Sequence, residues 1–214
     1  LTAVILSAML CLTVSELVST PTQADSNQNQ PIALFIGDSY TYGLGAGTPE
    51  KRFSTLVCLQ MHWTEVNKGL PGTGYATRVW QYGKRHDPYP VIVRAVTIQP
   101  DVVVVSGGRN DKWNSATQLA IASFFPELRT KFPNARIYVT SPIWDARVNP
   151  PAKIELMRQA VQQSAENSGI TYLDLGNVFK GKYTYIGRDW IHPNAKGHAL
   201  LAQTIVTQLR AHGE

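Results

Sequence analysis

Two short motifs at opposite ends of the chain carry residues that could perform nucleophilic chemistry together. Gly37-Asp38-Ser39 follows the apolar run Ile32–Ile36, and Asp189-Trp190-Ile191-His192 lies close to the other terminus. A serine hydroxyl is a weak nucleophile unless a base removes its proton. In an Asp-x-x-His motif the carboxylate can orient the imidazole through Nδ1–H, which leaves Nε2 to face the serine. Each motif alone is also typical of a simple turn, but together they predict a catalytic triad of Ser39, His192 and Asp189.

Two glycine-rich segments between these motifs could donate hydrogen bonds to the same site. Gly107-Gly108-Arg109-Asn110-Asp111 follows four consecutive valines, and Asn67–Gly74 follows a second short strand-like segment. An Asn110 amide or a backbone N–H beside a glycine can stabilise the oxyanion that develops during acyl transfer. Either segment alone is an ordinary glycine-rich loop. The Gly-x-Gly-x-x-Gly fingerprint of a nucleotide-binding fold is absent after the first predicted strand, which disfavours a Rossmann-type binder.

Short apolar runs alternate with helix-period segments along the chain, which predicts parallel βαβ units and a doubly wound α/β sheet. The predicted strands are Ile32–Ile36, Thr64–Asn67, Val102–Val105, Arg136–Thr140 and Ile170–Leu175. The predicted helices are Phe53–Trp63, Pro90–Gln99, Leu119–Phe132, Ala152–Asn167 and Pro193–His212. Ligand sites in such folds gather outside the carboxyl ends of the strands, and each motif above falls at such an end or just before the last helix.

The four motifs, in this order and spacing, resemble the sequence blocks of the SGNH (GDSL-type) hydrolase superfamily. The matching residues are Gly37-Asp38-Ser39, Gly72, Gly108-x-Asn110-Asp111 and Asp189-x-x-His192, and the resemblance spans residues 32 to about 210. It implies a flavodoxin-like three-layer αβα sandwich with a five-stranded parallel sheet. It also implies that Ser39 is the nucleophile, His192 the general base and then acid, and Asp189 the residue that orients His192.

The resemblance further implies an oxyanion hole made of the Ser39 N–H, the Gly72 N–H and the Asn110 side chain. Three positions depart from the family pattern. Tyr40 follows the serine where the family name has Leu, Thr73 stands where an acidic residue is frequent, and Trp190 stands where a small residue is common. Tyr40 and Trp190 are expected to leave activity largely intact.

The composition indicates one α/β domain behind a targeting segment. Residues 1–24 are mostly apolar and end in small residues, which predicts a signal peptide or an N-terminal anchor helix. Residues 25–30 form a polar linker and residues 31–214 the catalytic domain, so we expect a secreted or envelope-associated protein. Cys11 would leave with the leader, and Cys58 is expected to be a buried structural thiol.

The formal net charge of +5 is spread along the chain, and no run of Lys and Arg marks a nucleic-acid site. Weak attraction to an anionic envelope surface is a further expectation. The sequence has no zinc-ligand cluster, so we expect no metal and no cofactor, and we expect a monomer.

Four residues near the motifs are candidate substrate-binding residues. Tyr40, Trp144 and Trp190 could stack on a sugar or grip an acyl chain, although any such ring could instead pack a loop onto the core. Arg109 could face a substrate anion or pair with Asp111.

The leading hypothesis is a secreted serine esterase acting on short-chain or acetyl O-acyl esters of carbohydrate or lipid. The alternatives are an O-acyltransferase on envelope glycans or glycolipids and a non-catalytic carbohydrate-binding module.

Overall fold

The computed structural model describes residues 30–81, 83–147 and 149–214. The predicted leader, Cys11 and linker residues 25–29 lie outside the described residues. Within the described residues there are seven strands: β1 Ile32–Gly37, β2 Thr64–Gly69, β3 Val79–Gln81, β4 Lys84–His86, β5 Val102–Ser106, β6 Arg136–Thr140 and β7 Thr171–Leu173. The same part of the chain contains six α-helices: α1 Ser39–Tyr42, α2 Phe53–Met61, α3 Tyr89–Arg94, α4 Ser115–Lys131, α5 Ala152–Asn167 and α6 Ala195–Ala211.

Five parallel strands form the central sheet in the order β2-β1-β5-β6-β7. This is the strand order of flavodoxin-like folds, so the predicted five-stranded doubly wound sheet is confirmed. The order of the strands reverses between β1 and β5, whose carboxyl ends carry the Ser39 and Asn110 motifs. A crevice at such a switch point is where ligands bind in open α/β sheets.

Helices cover both faces of the sheet because the central strands β1 and β5 carry continuous apolar runs, Ile32–Ile36 and Val102–Val105. Along β1, Ala33 and Phe35 join the core under α2 and α6, whereas Leu34 and Ile36 join the core under α3, α4 and α5. The valines of β5 alternate between the same two cores. Side chains of a strand point alternately to opposite faces, so a continuous apolar run requires a cover on each side. The result is the predicted three-layer αβα sandwich.

Several element boundaries differ from the sequence-based expectation. Helix α4 begins at Ser115 rather than Leu119, because the Asn114 side chain accepts a hydrogen bond from the Thr117 N–H and caps the helix there. Helix α3 ends at Arg94, five residues before the predicted end, and β7 is restricted to Thr171–Leu173. The antiparallel hairpin β3–β4 was not predicted. Cys58 is buried as expected, and burial raises the pKa of its thiol to about 12.

Candidate active site

Ser39 is the first residue of α1 and follows directly from the carboxyl end of β1. The Asp38 side chain caps this helix by accepting a hydrogen bond from the Tyr40 N–H at 2.9 Å. Gly37 is required because a Cβ there would collide with the Ser106 carbonyl and the Thr41 side chain. The Gly-Asp-Ser motif therefore turns the chain sharply from the sheet into a short helix, and it presents the Ser39 hydroxyl at the sheet edge.

The structure brings Ser39, His192 and Asp189 into one hydrogen-bonded relay. His192 Nε2 lies 2.9 Å from Ser39 Oγ, and His192 Nδ1 lies 2.6 Å from Asp189 Oδ2. Partial burial acts to raise the pKa of Asp189, but hydrogen bonds from His192 and from two backbone N–H groups outweigh it and hold the pKa at about 2. An ionised Asp189 requires the imidazole proton on Nδ1, which leaves Nε2 to accept the Ser39 hydroxyl proton.

The turn that holds Asp189 and His192 is fixed by backbone hydrogen bonds. Asp189 Oδ1 accepts from the N–H groups of Ile191 and His192, each at 3.0 Å. The His192 carbonyl accepts from the Gly187 N–H at 2.7 Å, and Asn194 caps α6 immediately afterwards. Trp190 has φ +60°, a left-handed conformation that is uncommon for a side chain of this size. The motif spacing thus builds a closed loop in which carboxylate and imidazole face each other.

The structure also brings the predicted oxyanion donors to this edge of the sheet. The Asn110 side chain donates to the Thr73 carbonyl at 3.0 Å and makes a long contact of 3.4 Å with Asp38 Oδ2. Gly72 has φ +79°, a conformation that favours glycine. The backbone N–H groups of Ser39 and Gly72 have no hydrogen-bond acceptor among the residues that the structure describes. Both are therefore available to a ligand oxygen.

Asp111 and Lys153 tie the two glycine-rich loops together, and sequence reasoning had not assigned either of them this role. The Asp111 carboxylate accepts hydrogen bonds from the backbone N–H groups of residues 75–77 and from the Thr77 hydroxyl. Lys153 on α5 donates to the carbonyls of Arg109 and Asp111 at 2.9 and 2.7 Å. The Gly72 loop and the Asn110 loop are thus held in one arrangement.

Two candidate substrate-binding residues lie beneath the site instead of on its surface. Tyr40 is 2% exposed, and its hydroxyl donates to the Ile191 carbonyl. Arg109 is also buried and donates to the Tyr40 hydroxyl at 2.8 Å and to Asp145 at 3.3 Å. The predicted pair with Asp111 is wrong, and direct substrate contact by Arg109 or Tyr40 is not supported, because buried partners occupy both side chains. Together they connect the Ser39 turn to the His192 loop.

The other two candidates, Trp144 and Trp190, differ in their surroundings. The Trp144 ring contacts two guanidinium groups, and its centroid lies 4.4 Å from Cζ of Arg109 and 4.9 Å from Cζ of Arg147. Trp190 is 67% exposed and lines a cavity of about 300 Å³ together with Arg147, Tyr183 and Asp189. This cavity adjoins the relay, so Trp190 is placed to contact a ligand, whereas Trp144 supports Arg147.

The remaining histidines and acidic groups give no sign of a metal centre. His198 is buried, its Nδ1 accepts from the Phe53 N–H, and burial lowers its pKa. Within residues 30–81, 83–147 and 149–214, no group of three or more His, Cys, Asp or Glu side chains is arranged to hold a metal ion. In the same part of the chain, no helix has the length and apolar character needed to cross a bilayer.

Comparison with known proteins places the chain in a family of hydrolases. The model of the GDSL-like lipase/acylhydrolase family matches residues 35–200. A GDSL lipase of Mycobacterium tuberculosis is 29% identical over 189 residues, which cover 82% of this chain and 79% of that protein.

Solved structures of esterases share the fold. A family two carbohydrate esterase from Clostridium thermocellum in complex with cellohexaose has a TM-score of 0.67 and 19% identity, over 86% of this chain and 65% of that one. The acetyl xylan esterase Est2A of Butyrivibrio proteoclasticus has a TM-score of 0.62 and 18% identity, over 85% and 64%. The chain thus spans less than two thirds of the length of either esterase. Because the family model covers most of the chain, this protein belongs to the GDSL-like lipase/acylhydrolase family and is an ester hydrolase.

Proposed function

We propose that the protein is a serine esterase that removes short acyl groups, such as acetyl, from carbohydrate or lipid alcohols through Ser39, His192 and Asp189. The observation that carries this proposal is the relay of two hydrogen bonds, 2.9 Å from Ser39 Oγ to His192 Nε2 and 2.6 Å from His192 Nδ1 to Asp189. A serine next to an oriented base is the arrangement that acyl transfer through a covalent intermediate needs.

The reaction begins with attack of Ser39 Oγ on the ester carbonyl while His192 Nε2 takes the hydroxyl proton. The carbonyl oxygen becomes an oxyanion, which the N–H groups of Ser39 and Gly72 and the Asn110 amide stabilise. Collapse of this intermediate breaks the bond to the alcohol, which leaves with the proton from His192. Water then attacks the acyl-enzyme with His192 as base, and the carboxylic acid is released from Ser39.

The cavity and the relatives support the proposed substrate class. The cavity of about 300 Å³ beside Asp189 is small for a ligand pocket, which favours a compact alcohol. The structural relatives named above include a carbohydrate esterase and an acetyl xylan esterase, which favours acetylated sugars over long-chain lipids. The apolar leader in the sequence supports export to the envelope or the medium. We also propose that the protein acts as a monomer.

The test is hydrolysis of p-nitrophenyl esters of increasing acyl length by the chain and by its Ser39→Ala variant. We expect the highest rate with acetyl or another short acyl group and a loss of several orders of magnitude in the variant, with a similar loss in His192→Ala. Ser123→Ala, an exposed serine of α4, is the matched control and should retain the parent rate. Ester hydrolysis that persists in Ser39→Ala would remove Ser39 as the nucleophile.

The same assay separates a hydrolase from an O-acyltransferase. Methyl glucoside is added as an acceptor while p-nitrophenol and free acid are both measured. A hydrolase releases equal amounts of the two, whereas a transferase diverts the acyl group into a new sugar ester and leaves less free acid. A non-catalytic carbohydrate-binding module is not proposed, because the chain belongs to a family of hydrolases.

A further inference from the structure

The cavity beside the Ser39–His192–Asp189 relay has one wall formed by an exposed guanidinium and another formed by two aromatic rings. Arg147 contributes the guanidinium, and Tyr183 and Trp190 contribute the rings. Asp189, which hydrogen-bonds to His192, lies at the edge of the same cavity. Ser39 and His192 do not line this cavity, so a group bound here would contact the loop that holds His192 and could belong to the same substrate as an ester at Ser39.

Arg147 is held rigidly although its side chain is 60% exposed. Its Nε and Nη2 atoms donate to Asp145 at 2.8 and 2.5 Å, its backbone N–H donates to the same carboxylate at 3.1 Å, and its guanidinium stacks on Trp144. A guanidinium has five N–H donors, and these bonds use only two of them. Nη1 has no acceptor among the described residues, so fixed donors remain available at the cavity.

The cavity itself is lined by one guanidinium, that of Arg147, and two carboxylates, those of Asp145 and Asp189, and the excess of positive charge lies in the adjoining segment. The Gly181 N–H donates to the Ala146 carbonyl at 3.0 Å, which brings the segment around residues 180–190 against the segment that contains Arg147. That segment adds three exposed basic residues, Lys180, Lys182 and Arg188. Its one acidic residue is Asp189, whose carboxylate already accepts hydrogen bonds from His192 and Ile191. The Asp145 carboxylate is shared between Arg147 and the buried Arg109, so the local field favours an anion.

The aromatic wall is suited to a flat ring. Trp190 is 67% exposed and has a left-handed backbone conformation. The Tyr183 and Trp190 rings pack edge to face, with 6.4 Å between their centroids. A large side chain that is both strained and exposed beside a reaction centre is typical of a functional position. Indole faces bind the apolar face of a sugar ring, while a guanidinium pairs with a carboxylate or phosphate through parallel hydrogen bonds.

We propose that this cavity binds the alcohol part of the substrate and that this alcohol is a sugar ring carrying an anionic group, which Arg147 recognises. The inference rests on the proposed function, because it places the leaving sugar beside His192. Its new content is the charge: the preferred substrate is an acylated sugar with a carboxylate or a phosphate, and not a neutral acylated sugar. The ring lies against Trp190, and the anion lies at the free N–H groups of Arg147.

The experiment compares three acetylated methyl glucosides that differ only at C6, which carries a hydroxyl, a carboxylate or a phosphate. Acetate release gives kcat/KM for each ester with the full chain. We expect at least one anionic ester to exceed the neutral ester by roughly 10-fold or more, as a charge-assisted hydrogen-bond pair would produce. The carboxylate and phosphate arms identify the source of the charge. The preference should weaken at high salt, because the Arg147 guanidinium is exposed.

Arg147→Gln should reduce the preference for the anionic ester to nearly 1. Arg94→Gln is the matched control. Arg94, on α3, is similarly exposed and also donates two hydrogen bonds to one carboxylate, that of Glu127. This variant should keep the preference. Equal kcat/KM for all three esters in the parent chain would overturn the proposal, and so would a preference that survives in Arg147→Gln. Ser39-dependent hydrolysis of p-nitrophenyl acetate tests the proposed function separately, so the two failures are distinguishable.

Discussion

Asp38 provides a quantitative test of the geometry under the nucleophile. Its side chain is 2% exposed, and burial is the main reason that its pKa rises from 3.8 to about 6. The Tyr40 N–H and the charge of Arg109 oppose this increase without cancelling it. One carboxylate oxygen accepts a good hydrogen bond from Tyr40, but the other has only the 3.4 Å contact with Asn110. The charged form is therefore poorly stabilised in the folded protein.

The effect on stability follows from the direction of this shift. Between pH 4 and pH 6 the folded protein holds the Asp38 proton more tightly than the unfolded chain, so the free energy of unfolding falls as pH rises through this window. A shift of about 2 pKa units corresponds to roughly 3 kcal/mol, all of it lost above pH 6. Asp38→Asn removes the ionisation, so the stability of the variant relative to the parent should increase by roughly 2 kcal/mol between pH 4 and pH 7.

The assay is urea denaturation of both proteins at several pH values from 4 to 7. Titrating groups that do not interact with Asp38, such as His198, contribute equally to the two proteins and cancel in the difference. The amide that Asp38→Asn introduces would face the Asn110 amide, and this unfavourable contact adds a cost that does not depend on pH. A difference in unfolding free energy that stays flat within about 0.5 kcal/mol across this range would refute the assignment of a raised pKa to Asp38.

Substitutions at two further positions test the oxyanion hole and the aromatic wall. Asn110→Ala should lower kcat for p-nitrophenyl acetate by about 100-fold or more through loss of an oxyanion donor, and a nearly unchanged kcat would remove Asn110 from the hole. Trp190→Gly and Trp190→Ala should both lower kcat/KM for sugar esters, since both remove the ring. The glycine variant should nevertheless be more stable than the alanine variant by about 1 kcal/mol in thermal unfolding, because only glycine relieves the left-handed strain; equal stabilities would contradict this.

The sheet and the position of the site could be predicted because they depend on local patterns. The apolar runs of β1 and β5 predict strands buried on both faces, and β6 and α5 have the predicted bounds. Once the strands are parallel, their carboxyl ends meet at one edge. The Ser39 and Asn110 motifs, each directly after a strand, must then lie close together even though they are distant in the sequence.

The environment of individual side chains could not be predicted in this way, because it depends on partners that are remote in the chain. Arg109 carries a full charge and Tyr40 follows Ser39, so the sequence makes both candidate substrate contacts, with an Asp111 pair as the alternative for Arg109 and packing of a loop as the alternative for Tyr40. Their actual partners, Asp145 for Arg109 and the Ile191 carbonyl for Tyr40, lie 36 and 151 residues away. The hairpin β3–β4 was missed for a different reason: three-residue strands are too short to establish an alternating pattern.

The relay depends on backbone structure because the ion pair cannot fix itself. The Asp189 side chain is 51% exposed, and an exposed pair of charges contributes little stability. Backbone contacts on both sides of His192 hold the loop. The Gly187 N–H donates to the His192 carbonyl, and Ile186 and Pro193 form an isolated β-bridge. The Tyr40 hydroxyl donates to the Ile191 carbonyl. The Tyr40 hydroxyl also accepts a hydrogen bond from Arg109, and Arg109 shares the Asp145 carboxylate with the cavity residue Arg147. One buried network therefore supports both His192, the proposed general base, and Arg147, the proposed anion-binding residue.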